Sequence, residues 1–349
     1  MAKVIQWATG TVGRHAVRAV IEQPGLELVG AYVYDPAKSG RDIGEICGVA
    51  PIGVAATNDR AAILAMEADC VLYMPQGADR EPAGAIDDIC ALLESGKNVI
   101  STAVTALIYP ISLGQGVVDR LNAACARGGV SFHGTGIEPG WGSECLPLAM
   151  SPLFRRIDSL LVQEILDYAT YPSRATLFDG MGFGGPPQPH GPMPVPLDQS
   201  GAFGAPLLML ADAFGATIES MVYECELAVA EEAFDVAAGR IEKGTVSGKR
   251  YSFTAMVKGR PAMKVEHVTR LGAHTAPHWP QGRGWHVTIK GDPDMTLQTI
   301  IAPDGGDEND QGCLGTAMHA VHAIAPVVEA APGIRTFLDL PMIVGRNIL

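Results

Sequence analysis

The chain has 349 residues, of which 47% are hydrophobic and 18% charged, so it can bury a sizeable core and is not a disordered segment. Its 38 acidic residues outnumber its 25 basic ones, and the resulting charge of −13 argues against nucleic acid or an anionic membrane as a partner. The seven cysteines are scattered without a CxxC pair, and no apolar run reaches membrane-spanning length. We therefore expect a cytoplasmic protein with two domains.

Residues 1–134 alternate short apolar runs with helical patterns. The pattern predicts strands at 4–8, 26–34, 70–75, 98–102 and 130–133, and helices at 14–22, 82–94 and 116–127. Strands that alternate with helices indicate a parallel sheet covered on both faces. The sequence therefore predicts an α/β Rossmann domain over residues 1–134.

The pattern changes after Gly134. It predicts a helix at 143–153, a long strand at 157–169, a loop rich in Pro and Gly at 172–206, and five strands at 218–230, 250–257, 262–269, 284–289 and 295–301. Strands in succession indicate an α+β domain with a mainly antiparallel sheet, which we assign to residues 135–318. A closing helix is predicted at 314–328, and the segment 319–349 is expected to pack back on the first domain.

A turn suited to phosphate binding joins the first strand to the first helix. Ala8 stands at the first position of a GxGxxG pattern, and Gly10 and Gly13 fill the second and third. The second glycine lets a pyrophosphate approach the backbone, and the third lets the helix pack closely on the strand. The predicted contacts of this turn with a dinucleotide are Thr9, Gly10, Thr11, Val12 and Gly13.

Asp35 ends the next strand, 22 residues after Gly13, where an acid can bind the adenosine ribose. Asp35 favours NAD, whereas Lys38, followed closely by Arg41, could hold the extra phosphate of NADP, so both cofactors stay open. Pro75 and Thr102 end two further strands and complete the predicted cofactor site.

Several long blocks of sequence resemble one enzyme family. They include WATGTVGRHAVRAV, GTGIEPGWGSECLPLAM, DYATYPSRATLFDGMGFGGPP and APHWPQGRGWHVTIKG. These blocks resemble the dihydrodipicolinate reductase-like superfamily, in particular its 2,4-diaminopentanoate dehydrogenase and native amine dehydrogenase branch. The resemblance implies a homodimer whose second domain serves substrate binding and dimerisation. It also implies hydride transfer between a nicotinamide and a C=N carbon, in reductive amination or in oxidative deamination.

The sequence departs from that family at one important place. Amine dehydrogenases carry a glutamate just after the strand that corresponds to residues 98–102, but the stretch STAVTALIYP contains no acid. Two alternatives therefore stay open beside the amine dehydrogenase. One is a ketone or aldehyde reductase that uses no ammonia, and the other is a non-catalytic protein that senses the cofactor. True dihydrodipicolinate reductases carry a His-His-x-x-Lys segment, which this sequence lacks.

Other residues are candidates for proton transfer. Glu138 follows the last Rossmann strand in GTGIEPGW, where it could act as acid or base or could simply bind backbone amides at a helix entry. Tyr168 and Tyr171 end the long strand beside the Pro/Gly loop, and each could donate a proton or be a structural residue. His133 is a weaker candidate for a proton relay.

An apolar wall is predicted for the substrate, formed by Trp141, Phe178, Met181 and Phe183. Such a wall selects a small hydrophobic ketone, aldehyde or amine rather than a diacid. The four histidines between residues 267 and 286 have no zinc-site spacing, so no metal is predicted.

Overall fold

The computed structural model describes residues 1–77, 81–188 and 190–349, which form two compact units. The first unit is discontinuous and comprises Met1–Glu138 and Cys313–Leu349, whereas the second is the continuous stretch Pro139–Gly312. Within the described residues, no helix combines the length and the apolar character needed to cross a membrane.

Strands and helices were numbered in chain order. The strands are β1 (Ala2–Trp7), β2 (Leu26–Tyr32), β3 (Ala56–Thr57), β4 (Cys70–Tyr73), β5 (Asn98–Ser101), β6 (Ser131–Gly134), β7 (Arg156–Asp167), β8 (His190–Val195), β9 (Ser220–Val229), β10 (Phe234–Val236), β11 (Gly239–Ile241), β12 (Val246–Val257), β13 (Arg260–Arg270), β14 (Gly284–Asp292), β15 (Met295–Thr299) and β16 (Gly333–Ile334). The α-helices are α1 (Thr11–Glu22), α2 (Ile43–Cys47), α3 (Arg60–Ala65), α4 (Pro82–Glu94), α5 (Gln115–Gly128), α6 (Leu146–Met150), α7 (Gly201–Ala213), α8 (Glu308–His322) and α9 (Ile324–Val328).

The first unit contains a seven-stranded parallel sheet in the order β16-β6-β5-β4-β1-β2-β3. Both faces are covered, because Cys70 and Leu72 pack into one buried cluster while Val71 and Tyr73 pack into another. The order reverses beside β1, which is the switch point where Rossmann folds bind ligands at the carboxyl ends of the strands. The predicted α/β Rossmann fold is confirmed.

The second unit contains a seven-stranded sheet in the order β15-β14-β7-β13-β12-β9-β8. Only β7 and β13 pair in parallel, and the other neighbours in this sheet are antiparallel. Apolar residues of α7 and of the sheet, among them Leu207, Leu210 and Val265, form a common buried cluster. The predicted α+β architecture with a mainly antiparallel sheet is confirmed.

The prediction of a loop over residues 172–206 is partly wrong. A π-helix at Ala175–Gly180 and the strand β8 lie within it, and α7 begins there at Gly201; residue 189 lies outside the described residues. Helix α7 was not predicted because its segment is apolar around most of its circumference and carries Pro206. The predicted closing helix is divided, since α8 begins earlier, at Glu308, and α9 follows after His322.

Candidate active site

The turn between β1 and α1 has the shape that its glycines require. Ala8 adopts a left-handed conformation with φ of 75°. A Cβ atom on Gly13 would overlap the carbonyl oxygen of Ala8, so only glycine lets the helix approach the turn. A Cβ atom on Gly10 would meet no atom of the described residues within 4 Å, so the space before the helix is open. The first amides of α1 face that opening and can bind phosphate.

Gln6 supports this turn from inside the protein. Its side chain is fully buried and donates hydrogen bonds from Nε2 to the carbonyl oxygens of Ala8 (2.9 Å) and Trp7 (3.3 Å). Sequence reasoning missed Gln6, although a single polar residue within the apolar strand VIQWA was a usable signal. The amide of Gln6 therefore holds the backbone of Ala8 in its unusual conformation.

Asp35 and Lys38 both lie at the end of β2. One carboxylate oxygen of Asp35 accepts a hydrogen bond from the amide of Ala37 (2.9 Å) and begins a short 3₁₀-helix, Pro36–Lys38. The Nζ atom of Lys38 reaches back to Oγ1 of Thr9 in the phosphate turn (3.4 Å). The structure thus brings the acid and the cation predicted for the two cofactors to the same end of β2.

Pro75 and Thr102 lie on the same carboxyl edge of the sheet. The amide of Met74 donates to the carbonyl of Trp7 (3.0 Å), and the amide of Thr102 donates to the carbonyl of Tyr73 (3.1 Å). Pro75 is buried and Thr102 is half-buried. Pro75 therefore follows the strand next to β1 and Thr102 follows the strand after that, both on the edge that carries the phosphate turn.

The acid-free stretch after β5 is packed as core. It forms two short 3₁₀-helices, Thr105–Ile108 and Pro110–Leu113. Ala103, Val104 and Leu107 are buried in an apolar cluster of the first unit. This stretch supplies no carboxylate to the edge of the sheet.

Two buried histidines lie near the end of β6: His133 within the strand and His319 on α8. His133 is fully buried, and its Nδ1 atom lies 2.6 Å from the carbonyl oxygen of Arg335. The Nδ1 atom of His319 lies 2.8 Å from Oγ1 of Thr135. Burial lowers the pKa of each imidazole to about 4, so both are neutral at physiological pH.

In the second unit, five of the predicted site residues belong to one cluster. Tyr168, Tyr171, Phe178, Met181 and Phe183 surround the buried side chains of Leu177 and Ile241. The rings of Tyr168 and Tyr171 lie 5.8 Å apart. Phe183 is only 1% exposed, so it is a core residue of this cluster. We call this group the aromatic cluster.

Cationic side chains fix the loop that carries Phe178 and Met181. The guanidinium of Arg174 lies 4.3 Å from the centre of the Phe178 ring. The Nζ atom of Lys249 donates to the carbonyl oxygen of Met181 (2.8 Å), and burial lowers the pKa of this lysine. Neither contact was predicted from the sequence; the first joins residues four apart, whereas the second joins residues 68 apart.

Trp141 and Glu138 lie outside the aromatic cluster. Trp141 packs edge-on against Trp285, with ring centres 6.2 Å apart. Glu138 is half-buried in the turn that follows β6 and belongs to the first unit. The structure therefore groups the two tyrosines with three of the four predicted wall residues, Phe178, Met181 and Phe183, whereas Trp141 packs on Trp285.

A buried acid and histidine on the sheet of the second unit were also missed. The carboxylate of Glu164 lies 3.0 Å from Nδ1 of His267, and the residues are 5% and 1% exposed. The ring of Tyr251 stacks on His267 at 4.9 Å. Glu164 follows Leu160 and Val162 on the buried face of β7, so its position in the alternating pattern was the signal. Among the described residues, no group of three or more His, Cys, Asp or Glu is placed to hold a metal ion.

Comparisons with known proteins relate both parts of the chain to the same group of enzymes. Residues 3–76 match the family model for the N-terminus of dihydrodipicolinate reductase, and residues 191–347 match that for the 2,4-diaminopentanoate dehydrogenase C-terminal domain. An amine dehydrogenase of Streptomyces virginiae is 35% identical and is aligned over 98% of this chain and 97% of its own. A 2,4-diaminopentanoate dehydrogenase of Acetoanaerobium sticklandii is 24% identical, with 97% and 93% covered.

Solved structures share the fold. An amine dehydrogenase from Mycobacterium smegmatis has a TM-score of 0.76 at 19% identity and covers 99% of this chain and 97% of its own. A biliverdin reductase from Synechocystis has a TM-score of 0.55 at 13% identity, with 93% and 89% covered. The phosphate turn, the two-unit fold and the match to a full-length relative lead to one conclusion: the chain is an NAD(P)-dependent oxidoreductase and belongs to the amine dehydrogenase and 2,4-diaminopentanoate dehydrogenase family.

Proposed function

We propose that the protein interconverts an amine and a carbonyl compound by NAD(P)-dependent oxidoreduction at the C=N carbon. The forward direction is reductive amination of a small hydrophobic ketone or aldehyde, and the reverse is oxidative deamination. The observation that carries this proposal is the 35% identity to an amine dehydrogenase over 98% of the chain. When bound, the nicotinamide supplies or accepts the hydride.

Residues of the first unit hold the cofactor in this proposal. The open space at Gly10 and the first amides of α1 suit a pyrophosphate, which a side chain at that position would exclude. Asp35 and Lys38 recognise the adenosine ribose with or without its extra phosphate. Pro75 and Thr102 line the same edge of the sheet. These features support a site that fits either NAD or NADP.

Glu138, with Tyr168 or Tyr171, handles the protons of the reaction. Formation of an imine from a carbonyl group and ammonia releases water, so a positioned acid and base speed it. Glu138 is half-buried, which permits a carboxylate to exchange protons while partly shielded from water. The ring centres of the two tyrosines lie 5.8 Å apart, and their hydroxyl groups can donate hydrogen bonds to a substrate oxygen or nitrogen.

The aromatic cluster and Trp141 select the substrate. Phe178 and Met181 are half-buried and offer apolar surface, while Phe183 supports them from within. Such a lining favours small hydrophobic substrates.

We also propose that the enzyme is a cytoplasmic homodimer. Analytical ultracentrifugation tests the oligomeric state directly.

The deciding experiment follows the oxidation of NADH and NADPH with small hydrophobic ketones and aldehydes at alkaline pH, with and without ammonium. Oxidation that requires ammonium supports the proposal, and the amine product is identified by mass spectrometry. The absence of oxidation across the panel, with cofactor binding verified by fluorescence titration, contradicts it.

A second candidate is a carbonyl reductase that uses no ammonia. The observation in its favour is the stretch after β5, which has no acidic residue and packs Ala103, Val104 and Leu107 into the core. Equal rates of NAD(P)H oxidation with and without ammonium, together with an alcohol product, would favour this candidate over the amine dehydrogenase.

A further inference from the structure

A threonine hydroxyl is fixed at the carboxyl edge of the sheet by a histidine from the far end of the chain. Thr135 directly follows β6, and its amide donates to the carbonyl oxygen of Ser101 at the end of β5 (2.9 Å). Its Oγ1 atom lies 2.8 Å from Nδ1 of His319 on α8. Backbone and side chain together therefore hold this hydroxyl in one place.

His319 is itself held by its surroundings in the first unit. Its ring lies 5.6 Å from that of Phe337, which also contacts His133 edge-on at 5.1 Å. The Nδ1 atom of His133 is bonded to the carbonyl of Arg335. Burial keeps both imidazoles neutral, so each ring has one nitrogen that donates and one that accepts. The C-terminal segment thus builds a rigid support behind Thr135.

The position of Thr135 in the sheet indicates which part of a dinucleotide it would meet. Asp35, at the end of β2, lies on the adenosine side of the switch point beside β1. The strands β4, β5 and β6 form the opposite half of the sheet, which in Rossmann folds holds the second mononucleotide. In NAD(P) that mononucleotide ends in the nicotinamide, whose carboxamide both donates and accepts hydrogen bonds.

We propose that Thr135 binds the nicotinamide carboxamide and that His319 is its positioning residue. If Nδ1 of His319 carries the proton, it donates to Oγ1, and the hydroxyl donates to the carboxamide oxygen. If the proton is on Nε2, the hydroxyl donates to Nδ1 and Oγ1 accepts from the carboxamide nitrogen. A neutral histidine serves either arrangement. This assignment rests on the NAD(P)-dependent function.

The test compares the binding of NADH with that of ADP-ribose, which lacks the nicotinamide, to the full chain by fluorescence titration and calorimetry. Thr135→Val keeps the shape of the side chain and removes the hydroxyl. We expect it to weaken NADH binding by about twofold to tenfold, the range for one neutral hydrogen bond. The affinity for ADP-ribose should stay unchanged.

His319 variants separate positioning from simple packing. His319→Leu should reproduce the selective loss of NADH affinity, whereas His319→Asn should restore most of it, because its amide can bond Oγ1 from nearly the same place. Ser131→Ala is the matched control. Ser131 lies four residues before Thr135, on β6, and the change removes a 2.9 Å hydrogen bond from Ser131 to the carbonyl of Ala331. The affinities for NADH and for ADP-ribose should both be unchanged in the Ser131→Ala variant.

The assignment is overturned if Thr135→Val weakens NADH and ADP-ribose in equal proportion, or weakens neither. Either result would mean that the Thr135–His319 bond only ties α8 to the sheet. Because the readout is binding, a failure of the amine dehydrogenase proposal in the turnover assay would leave this test intact.

Discussion

The carbonyl oxygen of Ala8 occupies the space that a Cβ atom on Gly13 would need. Gly13 is therefore fixed by the packing of α1 against the turn, while the space beside Gly10 is open. We expect these two glycines to serve separate purposes, one for the fold and one for cofactor binding.

Alanine substitutions should separate these purposes. Gly13→Ala is expected to lower the free energy of unfolding by about 1–3 kcal/mol, because backbone must move to relieve the overlap. Gly10→Ala should leave the midpoint of thermal unfolding nearly unchanged and weaken NADH binding, because its methyl group projects into the open space. Thermal melts and NADH titrations of both variants check this. A Gly10→Ala protein that binds NADH like the parent would contradict the assignment.

Ala8 carries a conformational cost that glycine would relieve. Its φ of 75° is unfavourable for a residue with a Cβ atom, although glycine also has more freedom to lose on folding. We expect Ala8→Gly to raise the free energy of unfolding by up to about 1 kcal/mol. Urea unfolding measures the change. A clear loss of stability would show that the methyl group makes contacts worth more than the strain.

Glu138→Gln tests the proposed proton carrier. The amide keeps the size of the side chain but cannot exchange a proton, so kcat should fall by about 10²–10⁴-fold. The dissociation constant of NADH should stay close to that of the parent. Glu22→Gln, at an exposed position on α1, is the control and should change neither quantity. Turnover of the Glu138 variant at the parental rate would exclude the role.

Buried His133 should make the protein less stable in acid. Burial lowers its pKa from 6.5 to about 4, so below pH 6.5 the unfolded chain takes up a proton that the folded protein refuses. The contribution of His133 to the free energy of unfolding is therefore fully present above pH 6.5. It falls as the pH drops towards 4, by at most about 1.4 kcal/mol per pH unit.

Urea unfolding at several pH values measures this dependence. His133→Leu should be less stable near neutral pH but should show a shallower decline in acid. His278→Gln, whose side chain is 73% exposed, should decline like the parent. An unchanged slope in the His133 variant would show that other groups govern the acid response.

Local patterns predicted much of the fold. Alternating strands and helices indicated the Rossmann sheet, and the turn ATGTVG indicated the phosphate site, because both depend on residues close together in sequence. The strand end and the Pro/Gly loop also indicated Tyr168, Tyr171, Phe178 and Met181 as candidates, and the structure gathers these residues in one cluster.

Contacts between distant residues could not be predicted in this way. Thr135 and His319 are 184 positions apart, and Glu164 and His267 are 103 apart. No periodicity records such a pairing, because it depends on how the strands and helices pack in the completed fold. The helix α7 was missed for a different reason, since its apolar residues surround it and leave no amphipathic stripe.

The discontinuity of the first unit has a consequence for synthesis on the ribosome. The second unit is complete once Gly312 has emerged, but the first still lacks β16 and the buried residues Ala317, Ala320 and Ile324. During synthesis, the second unit can therefore complete its folding before the first unit does, although the first unit begins earlier in the chain. We expect the capacity to retain a nucleotide to be acquired only after residues 313–349 have been synthesised, so that a product terminated before them is left without bound cofactor.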